Sequence, residues 1–112
     1  MSMKYLSALL SLVALPAFAD QVCTFTQECY MTLECEESAY EVTLELDSDR
    51  ISTMVENMEI LHYHKTETAT QLVAQGMGAM HVMTIGPSSA LLSVHIGAGP
   101  AQIAYYGSCE GE

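Results

Sequence analysis

The chain has 112 residues, half of them hydrophobic, and a formal net charge of −11 at pH 7. So acidic a protein repels phosphate backbones and anionic lipid headgroups, which excludes nucleic-acid binding and attraction to anionic membranes. The same charge attracts cations and basic proteins, and it also keeps a small apolar protein in solution.

The first nineteen residues are typical of a secretory signal peptide. Lys4 gives a positive start, residues 6–15 are largely apolar but too short to span a bilayer, and Ala17 and Ala19 suit a signal peptidase. We therefore expect residues 1–19 to be removed and residues 20–112 to form one domain, periplasmic or secreted. That domain has two bases against fourteen acids, a net charge of −12.

All four cysteines, Cys23, Cys29, Cys35 and Cys109, lie after the expected cleavage site. An even number of cysteines in an oxidising compartment predicts two disulfides, which can be connected in three ways. If both form, Cys109 pairs with one of the three early cysteines and ties the ends of the domain together. We favour Cys29–Cys109 with Cys23–Cys35. A zinc site is not indicated, because the spacing is not that of a zinc motif.

The clearest strand in the sequence is the segment 38–47. Apolar and polar residues alternate strictly along it, which predicts one buried face and one solvent-facing face. The apolar positions are Tyr40, Val42, Leu44 and Leu46. Turn residues at positions 47–50 then end the strand.

The rest of the domain reads as short strands between turns. Strands are expected at residues 22–26, 30–33, 51–57, 58–65, 79–85, 90–96 and 101–106, of which 51–57 and 58–65 could be one bent strand. Residues 66–75 fit either a strand or a helical turn. Segment 79–85 is apolar at both alternating positions, which predicts a central strand or one covered on both faces. Turns are expected at residues 86–89 and 97–100.

This pattern predicts an all-β fold, a small antiparallel meander of seven to eight strands with two disulfides. A closed barrel and a tight sandwich both fit a meander with covalently linked ends. Closure would remove the exposed strand edges that otherwise favour aggregation.

Two histidines in one predicted strand make the best candidate for a metal site. His62 and His64 would project from the same face and could bind one copper or zinc ion, whereas Glu59 would need a β-bulge to join them. His81 lies in a methionine-rich segment, residues 77–83, and thioethers beside imidazole favour copper. The alternative is that His81 and the methionines fill the core. No other cofactor is indicated.

A group of glutamates makes a second candidate site, a surface for a basic protein partner. Its members are Glu34, Glu36, Glu37, Glu41 and Glu45. Charge complementarity would accelerate and orient the encounter.

In size, compartment and expected barrel fold, the domain resembles the periplasmic inhibitors of c-type lysozyme, and this resemblance implies the blocking of a basic enzyme. The Ser-Gly-x-Arg-Tyr-type inhibitory segment of that family is missing, so no residue role is carried over. Residues 106–110, Tyr-Gly-Ser-Cys-Glu, and the early cysteines resemble small exported proteins of alphaproteobacteria. That second resemblance implies export and no particular activity.

Enzymatic activity has no support in the sequence motifs. The chain lacks a Gly-x-Ser-x-Gly elbow, a phosphate-binding glycine loop and a His-Glu-x-x-His helix, and disulfides would leave no reactive thiolate. We therefore expect a non-catalytic binding module for a protein partner. The alternatives are the metal-binding protein described above and a binder of a small apolar ligand, which would need an elongated apolar cavity inside the barrel.

Overall fold

A computed structural model describes residues 20–111, which form eight strands in sequence order. They are β1 (Gln21–Tyr30), β2 (Glu36–Glu45), β3 (Arg50–Ser52), β4 (Asn57–Lys65), β5 (Thr70–Gly76), β6 (Ala79–Ile85), β7 (Ala90–Ile96) and β8 (Ala101–Gly111). Each strand pairs antiparallel with the next, and β8 pairs with β1, so the sheet closes into a barrel. The predicted all-β meander is confirmed, and its architecture is the closed barrel. The predicted signal peptide lies outside the described residues.

Inward-facing side chains from all eight strands fill the barrel. The largest of the fully buried apolar ones are Phe25, Leu44, Ile51, Met58, Leu72, Met83 and Leu92. Partly buried Ile103, Tyr105 and Cys109 complete this core from β8. Each fully buried side chain of this size contributes about 1.5–3 kcal/mol relative to its exposed state. An eight-stranded barrel is narrow enough for such side chains to fill.

Several strand boundaries differ from the sequence prediction. Residues 30–33 are not a separate strand: β1 runs unbroken to Tyr30, and Met31, with a φ of 56°, turns the chain. In the segment 38–47, Leu46 was the last predicted apolar strand position. It lies outside the strand, because the chain enters a short 3₁₀ turn at Leu46–Ser48. Asp49, with a φ of 52°, closes that turn by donating its N–H to the carbonyl of Leu46.

Other corrections concern the middle and the end of the domain. The predicted strand 51–57 stops at Ser52, because the hydroxyl of Thr53 accepts the N–H groups of Val55 and Glu56 and forms a turn. The ambiguous segment 66–75 becomes a turn and then β5, and the last strand continues beyond residue 106 to Gly111. Strand β6 is paired on both sides, with β5 and β7, as expected of a central strand. It is not covered on both faces, since the outward Met80 and Val82 are exposed to solvent.

The disulfides join Cys23 to Cys109 and Cys29 to Cys35, so the predicted pairing of Cys29 with Cys109 and of Cys23 with Cys35 is wrong. The reason is the register between the first and last strands, which places Cys23 opposite Cys109 and Cys29 opposite Ala104. Residues 20–111 contain no free cysteine. Two disulfides indicate an oxidising, exported environment. No helix in the described part has the length and apolar character needed to cross a membrane.

At the contact between β1 and β8, which we call the seam, Gly107 lies directly against the backbone of β1. A Cβ added at this glycine would lie 2.0 Å from the carbonyl oxygen of Thr24 and 2.6 Å from the Cα of Phe25. Both are backbone atoms and cannot move aside independently. The absence of a side chain at Gly107 therefore lets β1 approach β8 and close the barrel.

Candidate functional site

Charge divides the barrel into two halves. Residues 68–109, which form β5–β7, most of β8 and the turns between them, contain no Asp, Glu, Lys or Arg. The charged residues of the described part lie in residues 20–67 and at Glu110. We call β1–β4 with their turns the acidic half, and residues 68–109 the uncharged half.

The turn that joins β1 to β2 has three exposed apolar side chains and lies in the acidic half. We call residues 30–37 the hairpin tip. Tyr30, Met31 and Leu33 are 44%, 51% and 66% exposed, respectively. The Cys29–Cys35 disulfide crosses the base of the tip, and the N–H of Met31 donates to the carbonyl of Gln102 on β8 at 2.9 Å. The sulfur of Met31 accepts the N–H of Gln102 at 3.2 Å, so this side chain leans on β8. The tip is therefore held in place, and its apolar side chains are only partly covered.

Three of the five predicted glutamates lie on this tip. Glu34, Glu36 and Glu37 are exposed, and Glu36 pairs across the strands with Glu28, a residue that the sequence prediction did not include. A shallow depression of about 340 Å³ is lined by Thr26, Gln27, Cys35, Glu36 and Glu37. Carboxylates thus flank a concave surface at the base of the tip.

The other two predicted glutamates lie farther along β2 and differ from each other. Glu41 is exposed and lies opposite Thr24. Glu45 accepts hydrogen bonds from the hydroxyl of Ser52 and, at 2.7 Å, from Nε of Arg50. These bonds hold the pKa of Glu45 below its usual value, and the bond from Ser52 contributes most to this shift. Within residues 20–111 the Arg50–Glu45 contact is the only ion pair, so the glutamates of the tip have no basic partner there.

Aromatic side chains pack beneath the hairpin tip, at the same end of the barrel. The ring centroids of Tyr40 and Tyr105 are 4.9 Å apart, and Phe25 lies 5.9 Å from Tyr105. Burial, followed by the negative charge of Glu28, raises the pKa of Tyr105 to about 12, and burial also raises the pKa of Tyr40. Both phenols are therefore neutral, and the negative charge at this end belongs to the carboxylates.

The predicted histidine pair lies on the outer face of β4. A β-bulge at Leu61 shifts the register, since Ile60 pairs with Ala74 while His62 already pairs with Val73. This bulge brings Glu59 to the same face as His62 and His64, which Glu59 would need in order to join them as a metal ligand. Nevertheless, no group of three or more His, Cys, Asp or Glu in residues 20–111 is placed to hold a metal ion. The pair remains a hypothesis without a complete ligand set.

His81 lies in the core and cannot join that pair. It is 2% exposed on the inner face of β6, with Nε2 at 3.1 Å from the carbonyl oxygen of Gly76. Its Nδ1 has no hydrogen-bond partner among the described residues. Burial lowers the pKa of His81, and the bond to Gly76 opposes that shift only in part. The ring is therefore neutral, and His62, His64 and His81 do not form one metal site.

A cavity of about 650 Å³ opens at the other end of the barrel. It lies between the β4–β5 turn, the β6–β7 turn and the end of β2, and its walls mix apolar and polar side chains, including Tyr63 and Lys65. The core residues Leu44 and Ile85 form part of its lining. It is an open mouth with mixed polar and apolar walls and not the elongated apolar cavity that the small-ligand hypothesis requires.

Comparison with known proteins identifies no relative. The chain matches no protein family, no curated protein and no solved structure. The resemblances to lysozyme inhibitors and to exported proteins of alphaproteobacteria therefore rest on the sequence features alone. What the protein does has to be inferred from the geometry of its own residues.

Proposed function

We propose that this protein is a non-catalytic binding module of the periplasm, and that its hairpin tip docks against a basic protein partner. The observation that supports this proposal most strongly is the composition of the tip. Exposed apolar side chains stand there beside carboxylates that have no basic partner within residues 20–111. The proposal places anchoring in the apolar residues and recognition in the charges.

The apolar part of the tip resembles the centre of a protein interface. Tyrosine and methionine are enriched at such centres, and Tyr30 and Met31 are both about half exposed in the free protein. Leu33 is exposed even more. Burying one such side chain in a partner's pocket contributes about 1.5–3 kcal/mol. Together these three neighbouring side chains supply the apolar part of the proposed contact.

The carboxylates define the chemistry of the partner. Glu34, Glu36 and Glu37 concentrate negative charge around the tip, and Glu28 adds to it from β1. Their field attracts lysine and arginine side chains, speeds the encounter and disfavours acidic proteins. Basic side chains on the partner can enter the shallow depression lined by Glu36 and Glu37.

The tip is also organised before binding. The Cys29–Cys35 disulfide and the backbone bond from Met31 to Gln102 fix the chain that carries the anchors. A fixed loop loses little conformational entropy when it binds, so more of the contact energy appears as affinity. This is the arrangement expected of a loop that enters a cleft of another protein.

The test is a quantitative affinity capture from the periplasm of the source cells. The wild-type domain is compared with the triple variant Glu34→Gln/Glu36→Gln/Glu37→Gln and with the control Glu59→Gln/Glu67→Gln/Glu110→Gln. Both variants lose the same net charge, but only the first loses it at the tip. We expect at least one basic protein to be enriched by the wild type and the control and lost with the tip variant.

Salt adds a second criterion. At about 1 M salt the Debye length falls to about 3 Å, so a partner selected by exposed carboxylates should bind more weakly there than at 0.1 M. If no basic protein distinguishes the tip variant from its control, the proposed function is wrong. A captured protein whose recovery changes neither with the variant nor with the salt concentration would also contradict the proposed function.

A further inference from the structure

The β-bulge at Leu61 determines which side chains of β4 face the inside of the barrel. After the bulge, Tyr63 lies opposite Leu72, which is 1% exposed in the core, and the next inward position, Lys65, lies opposite Thr70. Residues directly opposite each other in an antiparallel pair project from the same face of the sheet. Tyr63 and Lys65 therefore line the cavity of about 650 Å³, which we call the mouth. Without the extra residue they would face outward, and bulges often direct a side chain toward a functional site in this way.

The charges in the mouth do not pair with one another. Lys65 is one of only two bases in residues 20–112, and the other, Arg50, is already paired with Glu45. Two carboxylates share the lining with Lys65: Glu67 comes from the β4–β5 turn and Asp47 from the 3₁₀ turn after β2. Neither forms an ion pair with Lys65 in the described part of the chain. The mouth thus presents one positive and two negative charges that direct contact does not neutralise.

The rest of the lining combines apolar side chains with hydroxyl groups. Leu44 and Ile85 belong to the core and lie at the base of the mouth. Thr68 and Thr70 contribute hydroxyls that can donate to and accept from amide groups. Sites for small molecules have this composition, with an apolar base and a few polar groups that fix orientation. The volume of the mouth also lies within the range of such sites, about 300–1,000 Å³.

We propose that the mouth binds a short apolar peptide with free amino and carboxyl ends. The carboxylate of the peptide would pair with Lys65, and its ammonium group would pair with Asp47 or Glu67. Its apolar side chains would cover Leu44 and Ile85, and its amide groups would bond to the threonine hydroxyls. This inference does not depend on the proposed function of the hairpin tip, which lies at the opposite end of the barrel.

Charge favours a zwitterion over other small ligands. The domain has a net charge of −12, which repels an apolar anion, and the two carboxylates of the mouth add to that repulsion. An apolar cation would leave Lys65 without a partner. A peptide with both ends free carries no net charge and offers a counterpart to each kind of charge in the mouth.

The test is a titration of the full chain with trileucine, followed by the NMR signals of the backbone amides. The protein is produced in a host that exports it, so that both disulfides form. We expect saturable shifts in the β4–β5 and β6–β7 turns, with a dissociation constant of about 1 mM or lower. The absence of saturable shifts up to about 5 mM, or shifts confined to the hairpin tip, would overturn the proposal.

Related ligands separate the contributions of the peptide. Triserine keeps both charges but lacks apolar side chains, and free leucine keeps the charges but lacks the length, so each should bind at least about tenfold more weakly than trileucine. N-acetyl-trileucine and trileucine amide each lack one charge and should bind about threefold more weakly or less well still, which is the scale of one partly exposed ion pair. If either blocked form binds as tightly as trileucine, the mouth does not select a zwitterion and the proposal is wrong.

A matched pair of variants assigns the carboxylate of the peptide to Lys65. Lys65→Met and Arg50→Met remove the same charge, but only the first removes it from the mouth. We expect Lys65→Met to weaken trileucine about threefold and to leave trileucine amide unaffected, because the amide has no carboxylate to lose. Arg50→Met should leave both affinities unchanged. Equal losses for the two ligands, or equal effects of the two variants, would contradict the assignment.

A second matched pair assigns the ammonium group. Asp47→Asn/Glu67→Gln removes both carboxylates of the mouth, and Glu59→Gln/Glu110→Gln removes two carboxylates outside it. We expect the first variant to weaken trileucine about threefold or more and not to weaken N-acetyl-trileucine, which has no ammonium group. The second variant should change neither affinity. An unchanged affinity of the first variant for trileucine would contradict the role of these carboxylates.

Discussion

The two disulfides close loops of very different length, and this difference predicts unequal contributions to stability. Cys23 and Cys109 are 86 residues apart in sequence, whereas Cys29 and Cys35 are 6 residues apart. The perturbation is the removal of one bond at a time, as Cys23→Ala/Cys109→Ala and as Cys29→Ala/Cys35→Ala. The two variants have the same composition and differ only in which bond they lack.

The expected magnitudes follow from the entropy of the unfolded chain. A crosslink that closes a loop of 86 residues restricts the unfolded ensemble by about 4.6 kcal/mol, and one that closes a loop of 6 by about 2.2 kcal/mol. Burial adds to the difference, because Cys23 is completely buried in the core while Cys35 is exposed. Removal of the Cys23–Cys109 bond should therefore cost at least about 2 kcal/mol more than removal of the other bond.

The assay is equilibrium unfolding in guanidinium chloride at neutral pH, followed by far-ultraviolet circular dichroism. A small domain is stable by about 5–15 kcal/mol in total, so the variant without Cys23–Cys109 should unfold at a much lower denaturant concentration than the variant without Cys29–Cys35. If the Cys29–Cys35 variant is the less stable of the two, the loop-length reasoning is refuted. Equal midpoints would also refute it.

Two further predictions concern single residues of the core and the seam. Burial lowers the pKa of His81 in the folded state, so on acidification the unfolded chain takes up a proton before the folded chain does. The free energy of unfolding should therefore fall as the pH drops below the ordinary histidine pKa of about 6.5 and toward the folded pKa. Replacing His81 by Leu should flatten this dependence by up to about 1.4 kcal/mol per pH unit in unfolding experiments. An unchanged slope in His81→Leu would contradict the assignment. Gly107→Ala should destabilise the barrel by about 3 kcal/mol or more, because the new methyl group meets the backbone of Thr24 and Phe25. Its control, Gly97→Ala, meets no atom within 4 Å and should change the unfolding midpoint little; similar midpoints for the two variants would show that the seam tolerates a side chain.

Residue periodicity was sufficient to predict the strands that lie between clear turns. Strands β6 and β7 begin and end where the alternation of the sequence places them, at Ala79–Ile85 and Ala90–Ile96. The alternation could not show that the outer face of β6 is exposed, because the sequence pattern is identical for a covered and for an exposed outward apolar residue. Val82 illustrates this, since it is 44% exposed.

The disulfide pairing could not be predicted because it depends on a contact between the ends of the domain. Only the antiparallel register of β1 with β8 decides that Cys23, and not Cys29, faces Cys109. A register between strands that lie so far apart in sequence leaves no local signal. The sequence therefore limited the choice to three pairings and could not select among them.

The sequence predicted the carboxylates of the candidate site but did not predict its exposed apolar side chains. The glutamates were visible as a group, but residues 30–33 were interpreted as a strand because of their β-prone composition. In the structure Met31 adopts a positive φ, and its neighbours Tyr30 and Leu33 become exposed on the hairpin tip. The local sequence does not show that a disulfide will fix this turn or that its apolar side chains will stay exposed to solvent.

The Cys23–Cys109 bond also makes the barrel a covalent ring. Any single peptide bond broken between these two cysteines leaves both fragments attached to each other, because the chain on either side of the cut still leads to the same disulfide. The cut chain can keep all eight strands in register and would amount to a circular permutant with new ends. Exposed turns are where proteases cut first, and the compartments that allow disulfides also contain proteases. A single cut in any one turn between these cysteines therefore leaves one covalently connected molecule.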